Sequence, residues 1–209
     1  MDLMQQELFE LEPVCDICGI DEAGRGPLAG PVCAAAVVLP DDFDTTLLGD
    51  SKKLTEKRRQ VAEAYIKSHA TAWAVSWASA KEIDELNILR ATMLAMQRAY
   101  AKVAALTTVA IVLVDGNQTP DLPCPCQAIV KGDAKIYEIM AASILAKTAR
   151  DRFMEYADKR WPDYGFSRHK GYPSEMHRAA CERFGPCPIH RLTFHGVLAS
   201  SRTSDETLR

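Results

Sequence analysis

Apolar and polar positions alternate along the chain in blocks that predict strands first and then strands interleaved with helices. Ile17 to Asp21 is a short apolar run closed by the turn Ala23-Gly24-Arg25-Gly26-Pro27. Pro31 to Leu39 is a second run, near enough to the first to pair with it as an antiparallel hairpin. Thr55 caps a helix predicted to run to about Ser68, with Val61, Ala62, Tyr65 and Ile66 on its inner face. Thr71 to Ala78 alternates as a third strand. Ser79 and Glu82 have capping-box spacing and start a helix at about Ala80. Asn87 caps a longer one to about Ala104, with Leu89, Met93, Met96 and Tyr100 as its apolar stripe. Val109 to Val114 is continuously apolar, the pattern of a strand buried on both faces. Gln127 to Val130 predicts a fifth strand, and a long helix rich in small residues follows from about Ala134 to Arg160. Pro162, Gly165, Gly171 and Pro173 interrupt the chain before a last helix at about Ser174 to Phe184.

This order implies an α/β protein: a mixed five-stranded sheet flanked by helices, with a helical C-terminal extension from about residue 161. Residues 17–198 read as one domain, residues 1–16 as a loose polar arm and residues 199–209 as a disordered tail. No apolar run is long enough to cross a bilayer, and the acidic N-terminus lacks the features of a secretory signal, so the expected location is cytoplasmic. The 7 cysteines are an odd number without secretory context and read as reduced thiols. Cys15 with Cys18 and Cys124 with Cys126 lack the Gly-rich knuckle of a zinc site, and Cys18 lies within a strand.

The net charge of −3 argues against nucleic-acid binding by the whole surface but leaves room for a local basic face. Bases gather late in the chain, at Arg160, Arg168, His169, Lys170, Arg178, Arg183 and Arg191, and a polyanion site is expected there.

Three strand ends deliver carboxylates: Asp21 with Glu22, Asp115, and Asp133. Such ends meet solvent where open α/β sheets bind ligands. Four converging acids repel one another, so a cation or protonation must neutralise them, and hard oxygen ligands suit one or two Mg²⁺ or Mn²⁺ ions. Successive strand residues face opposite sides, so Asp21 and Glu22 share a site only if the strand ends or bulges there. The glycines of Gly24-Arg25-Gly26 allow close backbone approach, and their amides suit a sugar hydroxyl such as the 2′-OH of RNA. The lysines of Asp50-Ser51-Lys52-Lys53-Leu54 suit phosphates, and Tyr172 in His169-Lys170-Gly171-Tyr172-Pro173 offers a face for a sugar or base.

Gly19 to Val32 (GIDEAGRGPLAGPV) resembles the opening signature of the bacterial ribonuclease HII family. The resemblance continues in order through Asp50 to Leu54, Asp115-Gly116, Lys131-Gly132-Asp133, Ala141 to Lys147, Arg150-Asp151-Arg152, Tyr164-Gly165-Phe166, His169 to Pro173 and His190-Arg191. It spans about residues 17 to 198. It implies a ribonuclease H-like fold and an endonuclease that cuts the RNA strand of RNA–DNA hybrids. It also implies cleavage 5′ to single ribonucleotides in duplex DNA, leaving 3′-hydroxyl and 5′-phosphate ends, the chemistry of ribonucleotide excision repair. Asp21, Glu22, Asp115 and Asp133 are implied as catalytic metal ligands. Gly24, Arg25 and Gly26 are implied to read the 2′-OH, and Tyr172 to pack on the next sugar. Lys52, Lys53, Lys147, His169 and Lys170 are implied as further substrate contacts. Asp151 is assigned to the helix surface. Ser174 stands where the family more often has threonine. The extra N-terminal domain of the related ribonuclease HIII enzymes is not expected.

Two other classes compete: a non-catalytic nucleic-acid-binding module and a metal-dependent phosphatase for small molecules. Four acids count against the first, because binding a polyanion is helped by bases and harmed by acids. Nothing points to an obligate dimer, so a monomer is expected. In the arm, Gln5, Leu8 and Phe9 match the Q-x-x-L-F peptide by which bacterial replication proteins dock on the sliding clamp, against the alternative of a chance match.

Overall fold

In the computed structural model, which describes residues 16–49 and 54–198, the first two apolar runs form strands β1 (Asp16–Ala23) and β2 (Val32–Val38). They pair antiparallel as expected, with Asp21 opposite Ala35 and Glu22 opposite Ala34. The expected arm and tail, together with Cys15 and the Asp50 to Lys53 stretch, lie outside the described residues. Helix α1 (Glu56–His69) follows, then strand β3 (Ala72–Ala78), α2 (Ala80–Leu86) and α3 (Ile88–Ala104). Strands β4 (Val109–Asp115) and β5 (Cys126–Ile129) complete the sheet, and α4 (Tyr137–Arg160), the short α5 (Phe166–His169) and α6 (Glu175–Phe184) form the C-terminal part.

The strand order is β3-β2-β1-β4-β5. Strand β2 runs antiparallel to both of its neighbours, β1 and β3, while β4 runs parallel to both β1 and β5. Two parallel neighbours therefore carry their C-terminal ends, and with them Asp21 and Asp115, to the same edge.

Side chains of alternating parity build two cores. Cys18, Ile20, Ala34, Ala36 and Val112 pack against α2 and α3 on one face. Cys33, Ala35 and Val37 pack against α1 and α4 on the other. Burying a side chain such as Ile66 or Met96, both almost fully enclosed, stabilises the fold by roughly 1.5–3 kcal/mol each. A third cluster, containing Ala29, Met154, Tyr164, Phe166 and Cys187, joins the C-terminal part to the segment after β1.

The predicted caps form. Thr55, Ser79, Asn87 and Ser174 each accept a helix-opening amide, and Ser79 with Glu82 completes the reciprocal box.

Four details depart from the sequence pattern. Val61 is 52% exposed, while Ala62 and Ile66 are buried as expected and Glu63 is buried beside them, paired with Lys67 and Arg152. On α3 the enclosed stripe is Ala91, Ala95 and Ala99 with Met96 and Tyr100, while Leu89 and Met93 are half-buried, because small residues let the helix lie close to the sheet. Only Val112 and Val114 of β4 are fully buried, since α4 lies mainly over β1 and β2 and leaves that face of β4 partly open. Helix α4 starts at Tyr137, not Ala134, because Gly132–Ala134 forms a separate 3₁₀ turn whose amides are held by Asp115.

Gly19 sets the position of α4. A Cβ there would lie 2.2 Å from the Glu138 carbonyl carbon, so only glycine lets the helix backbone cross β1 this closely. That crossing brings Ser143 over the end of β1.

Candidate active site

Asp21, Asp115 and Asp133 each place a carboxylate oxygen within 4.8 Å of the others. Asp21 comes from the end of β1 and Asp115 from the end of β4. Asp133 lies in the 3₁₀ turn after β5. Lys131 enters this turn in the left-handed conformation, at φ 57°. Asp115 fastens the turn to its own strand: its Oδ1 accepts from the Gly132 amide at 2.7 Å and from the Asp133 amide at 3.3 Å.

Asp21 and Asp133 are largely buried. Burial pushes the Asp21 carboxyl well above the usual carboxylate range, and the charges of Glu22 and Asp115 push it further, while a hydrogen bond with Ser143 pulls the other way. Two charged carboxylates within 4.8 Å of each other repel by about 3 kcal/mol or more at an effective dielectric constant near 20. A hard divalent cation fits this donor set: three converging carboxylates on a rigid sheet edge, one held uncharged more readily than a free acid would be.

Glu22 stands apart from the tight group. β1 keeps regular register through Glu22, so no bulge turns this side chain toward Asp21, and the only register shift lies between Asp16 and Ile17. Glu22 still lines the same cleft, with an oxygen 3.4 Å from Arg25 Nη1.

The cleft measures about 290 Å³ and is lined by Asp21, Glu22, Gly24, Arg25, Gly26, Asp115, Ser143, Lys147 and Tyr172 among others. Acids, the glycine turn and Tyr172 thus line one and the same cleft. Two roomier hollows, of about 410 and 600 Å³, have mainly apolar walls and bring no group of carboxylates together.

His169 and Lys170 do not line the cleft. Both His169 ring nitrogens are engaged, Nε2 by the Tyr164 carbonyl at 2.9 Å and Nδ1 by the Gly171 amide at 3.2 Å. Lys170 pairs with Glu155 at 2.7 Å. Lys52 and Lys53 lie outside the described residues.

Three features escaped sequence reasoning. Lys147 was expected at the substrate, but Ser143 and Asp151, one turn to either side of it, share its face of α4, and that four-residue spacing was an available signal. Asp151 is not on the helix surface as expected: it is 8% exposed and pairs with both Lys147 and Arg59. Arg191 does not belong to a basic outer face, because it is fully buried. Arg150, on α4, is buried with it.

A second cluster, His177, Cys181 and His190, also has donor atoms close enough for a metal. Its hydrogen bonds close without one. His177 Nδ1 faces the Tyr172 carbonyl at 3.0 Å and so carries the proton. His190 Nδ1 accepts from the Cys187 amide at 2.9 Å, which puts its proton on Nε2. That proton points at the bare Nε2 of His177, 3.0 Å away.

The family profile of ribonuclease HII matches residues 18–197. The chain belongs to the ribonuclease HII family. Ribonuclease HII enzymes are endonucleases that degrade the RNA strand of RNA–DNA hybrids, and this chain carries that ribonuclease H activity. It is 57% identical over 185 residues to ribonuclease HII of Dechloromonas aromatica, covering 88% of this chain and 93% of that one. Among solved structures it resembles ribonuclease H2 from Pyrococcus horikoshii, with a TM-score of 0.72 and 27% identity over 87% of this chain and 95% of that one. It shares its fold with ribonuclease HII of Archaeoglobus fulgidus, solved in complex with PCNA, at a TM-score of 0.69 and 24% identity over 88% and 98% of the two chains. Among the described residues no helix is long and apolar enough to cross a membrane.

Proposed function

We propose that this ribonuclease HII family member cuts 5′ to a ribonucleotide, both in hybrids and at single ribonucleotides embedded in duplex DNA. The observation that carries this reading is the shared cleft of about 290 Å³, lined both by Asp21 and Asp115 and by Gly24, Arg25, Gly26 and Tyr172. A phosphodiester at the acids leaves its neighbouring ribose against the turn.

In the proposed reaction, water adds to phosphorus and the bond to the 3′-oxygen of the preceding nucleotide breaks. That oxygen leaves as the 3′-hydroxyl, and the phosphate stays on the ribonucleotide as its 5′ end. Asp21, Asp115 and Asp133 would hold Mn²⁺ or Mg²⁺, with Glu22 joining from the cleft wall. When bound, such an ion supplies Lewis acidity, lowering the pKa of a coordinated water and neutralising phosphate charge. The chain's own residues orient the substrate. The exposed amides of the Gly24–Gly26 turn bond the 2′-OH, which DNA lacks. Gly26 lies beside Tyr172, its Cβ direction reaching ordinary contact distance of the ring at 3.6 Å, and that ring packs on the next sugar. Lys147, at the cleft wall, contacts a phosphate. Lys52 and Lys53 are proposed to contact phosphates further along.

The test is cleavage of a labelled DNA duplex carrying one ribonucleotide, in Mg²⁺, Mn²⁺ or EDTA, by wild type and Asp115→Asn. A metal-dependent cut 5′ to the ribonucleotide, lost in the variant, supports the reading. A wild-type protein that cuts long hybrids but never this duplex limits the substrate to hybrids. We further propose that Gln5, Leu8 and Phe9 dock on the sliding clamp; clamp capture unchanged by Leu8→Ala plus Phe9→Ala overturns it.

A further inference from the structure

Arg191 is a fully buried cation whose side-chain hydrogen bonds go to main-chain carbonyls, with its guanidinium 5.0 Å from the centre of the Phe194 ring. Its Nη2 donates to the Gly24 carbonyl at 2.5 Å, its Nη1 to the Arg25 carbonyl at 2.9 Å and its Nε to the Gly30 carbonyl at 2.9 Å. Among the described residues no carboxylate forms an ion pair with it. Burial, with the nearby Arg150 charge, pulls its pKa down to about 9. Removing a guanidinium from water is costly, and such a group persists where carbonyl dipoles replace its hydration.

The contacts fix a direction. A trans peptide points its C=O and its N–H to opposite sides. The Gly24 carbonyl shares a peptide with the Arg25 amide, and the Arg25 carbonyl shares one with the Gly26 amide. Anchoring both carbonyls on Arg191 therefore turns both amides away from it, toward the exposed side of the turn. Among the described residues neither amide has a hydrogen-bond acceptor, and Arg25 and Gly26 are both exposed.

The turn has little freedom to adjust in any other way. Gly24 has φ 99°, and a Cβ there would lie 2.0 Å from Arg150 Nε. Arg150 in turn binds the carbonyls of Ala29, Pro31 and Lys170 at 3.0 to 3.2 Å. Main-chain bonds from Leu28 to Gly171 and from Arg191 to Leu28 complete the frame.

We propose that Arg191 is the positioning residue for ribose recognition: by holding the Gly24 and Arg25 carbonyls from behind, it aims the Arg25 and Gly26 amides at the 2′-hydroxyl. This rests on the reading above that the turn meets the ribose. Lysine cannot replace it, because one ammonium lacks the rigid fork that reaches three carbonyls in different directions.

The experiment uses the full chain carrying Asp115→Asn, so that binding is read without cleavage. Fluorescence anisotropy gives the affinity for a duplex with one ribonucleotide and for the same duplex in all-DNA form. Adding Arg191→Lys is expected to reduce the ribonucleotide preference roughly tenfold, since two aimed hydrogen bonds are lost. Affinity for the all-DNA duplex stays within about twofold, because phosphate contacts supply it. A merely structural role would weaken both duplexes alike. Amide hydrogen exchange at Leu28 and Gly30, whose N–H groups bond the Gly171 and Ile189 carbonyls in the frame of the turn, is measured in parallel, on wild type and Arg191→Lys, and is expected to quicken in the variant. An unchanged preference with unchanged exchange overturns the proposal. If the Asp115→Asn background itself shows no ribonucleotide preference, the ribose reading of the turn fails, and the exchange result alone decides whether Arg191 holds the turn.

Discussion

Lys147 directs its ammonium at the Asp151 carboxylate, 2.5 Å from Oδ1 and 2.7 Å from Oδ2, one turn further along α4. Asp151 is nearly buried and also meets Arg59 at 3.3 Å, whose Nη1 donates to the Leu54 carbonyl at 2.7 Å. One carboxylate therefore restrains a cleft lysine and, through Arg59, the backbone at Leu54.

Replacing Asp151 by Asn removes the charge that holds Lys147. The pair is partly exposed, with side chains 28% and 11% accessible, so the stability loss is expected to be modest, about 1–2 kcal/mol by urea unfolding. KM for a hybrid substrate should rise about threefold to tenfold with kcat nearly unchanged, the pattern of a lost binding contact. The defect should shrink at high salt, where phosphate contacts weaken for both proteins.

The acid site destabilises the metal-free fold. Asp21 has its pKa raised by burial and by Glu22 and Asp115, from an ordinary value of 3.8. The folded state therefore holds a proton that the unfolded chain has released, and metal-free stability falls as pH rises from about that value through the folded pKa. Asp115→Asn should abolish cleavage yet raise the melting temperature in EDTA at pH 7. Adding Mn²⁺ should raise the melting temperature of wild type more than that of the variant.

The buried imidazoles act in the opposite sense. Burial, and then the charge of His177, lower the His190 pKa from 6.5 to about 4. Between those values the unfolded chain binds a proton that the folded one refuses, so stability is lost as pH falls through this window. The loss is of order 3 kcal/mol across it. Urea unfolding at pH 4 to 7 should show the decline in wild type and a flatter profile in His190→Gln, whose overall stability is lower.

Gly19→Ala places a methyl group 2.2 Å from the Glu138 carbonyl carbon. Neither backbone can yield without moving α4 off β1. A protein that is largely insoluble, or unfolds at much lower urea, is the expected result. A soluble variant with wild-type stability would mean that α4 does not cross β1 this closely.

Most of the architecture was legible because its signals are local. Periodicity and capping residues such as Ser79 with Glu82 report on a few neighbours, and the five strands and four main helices follow from them. The acids were legible as strand ends, since a carboxylate after an apolar run is conspicuous. What stayed hidden depends on distant partners. Val61 looks like a core residue on α1, but only the placement of α4 determines that Glu63 is buried instead and paired with Arg152. Arg191 reads as one more base in a basic stretch, and nothing near it in sequence reveals three carbonyls some 160 positions away. Lys147 and Asp151 are an intermediate case, for their spacing was visible while the burial that makes it matter was not.

The short bridge between Ala29 and His190, with the Arg191 amide donating to the Leu28 carbonyl at 2.9 Å, ties the first hairpin to nearly the last described residues. Contacts of such long sequence separation form late in folding, and during synthesis they must wait for the C-terminal segment to leave the ribosome. A nascent chain ending near residue 185 already contains every acid of the cluster but no means to aim the turn. Under the proposed roles, the residues that would hold the cation are thus synthesised well before the one that would aim the turn.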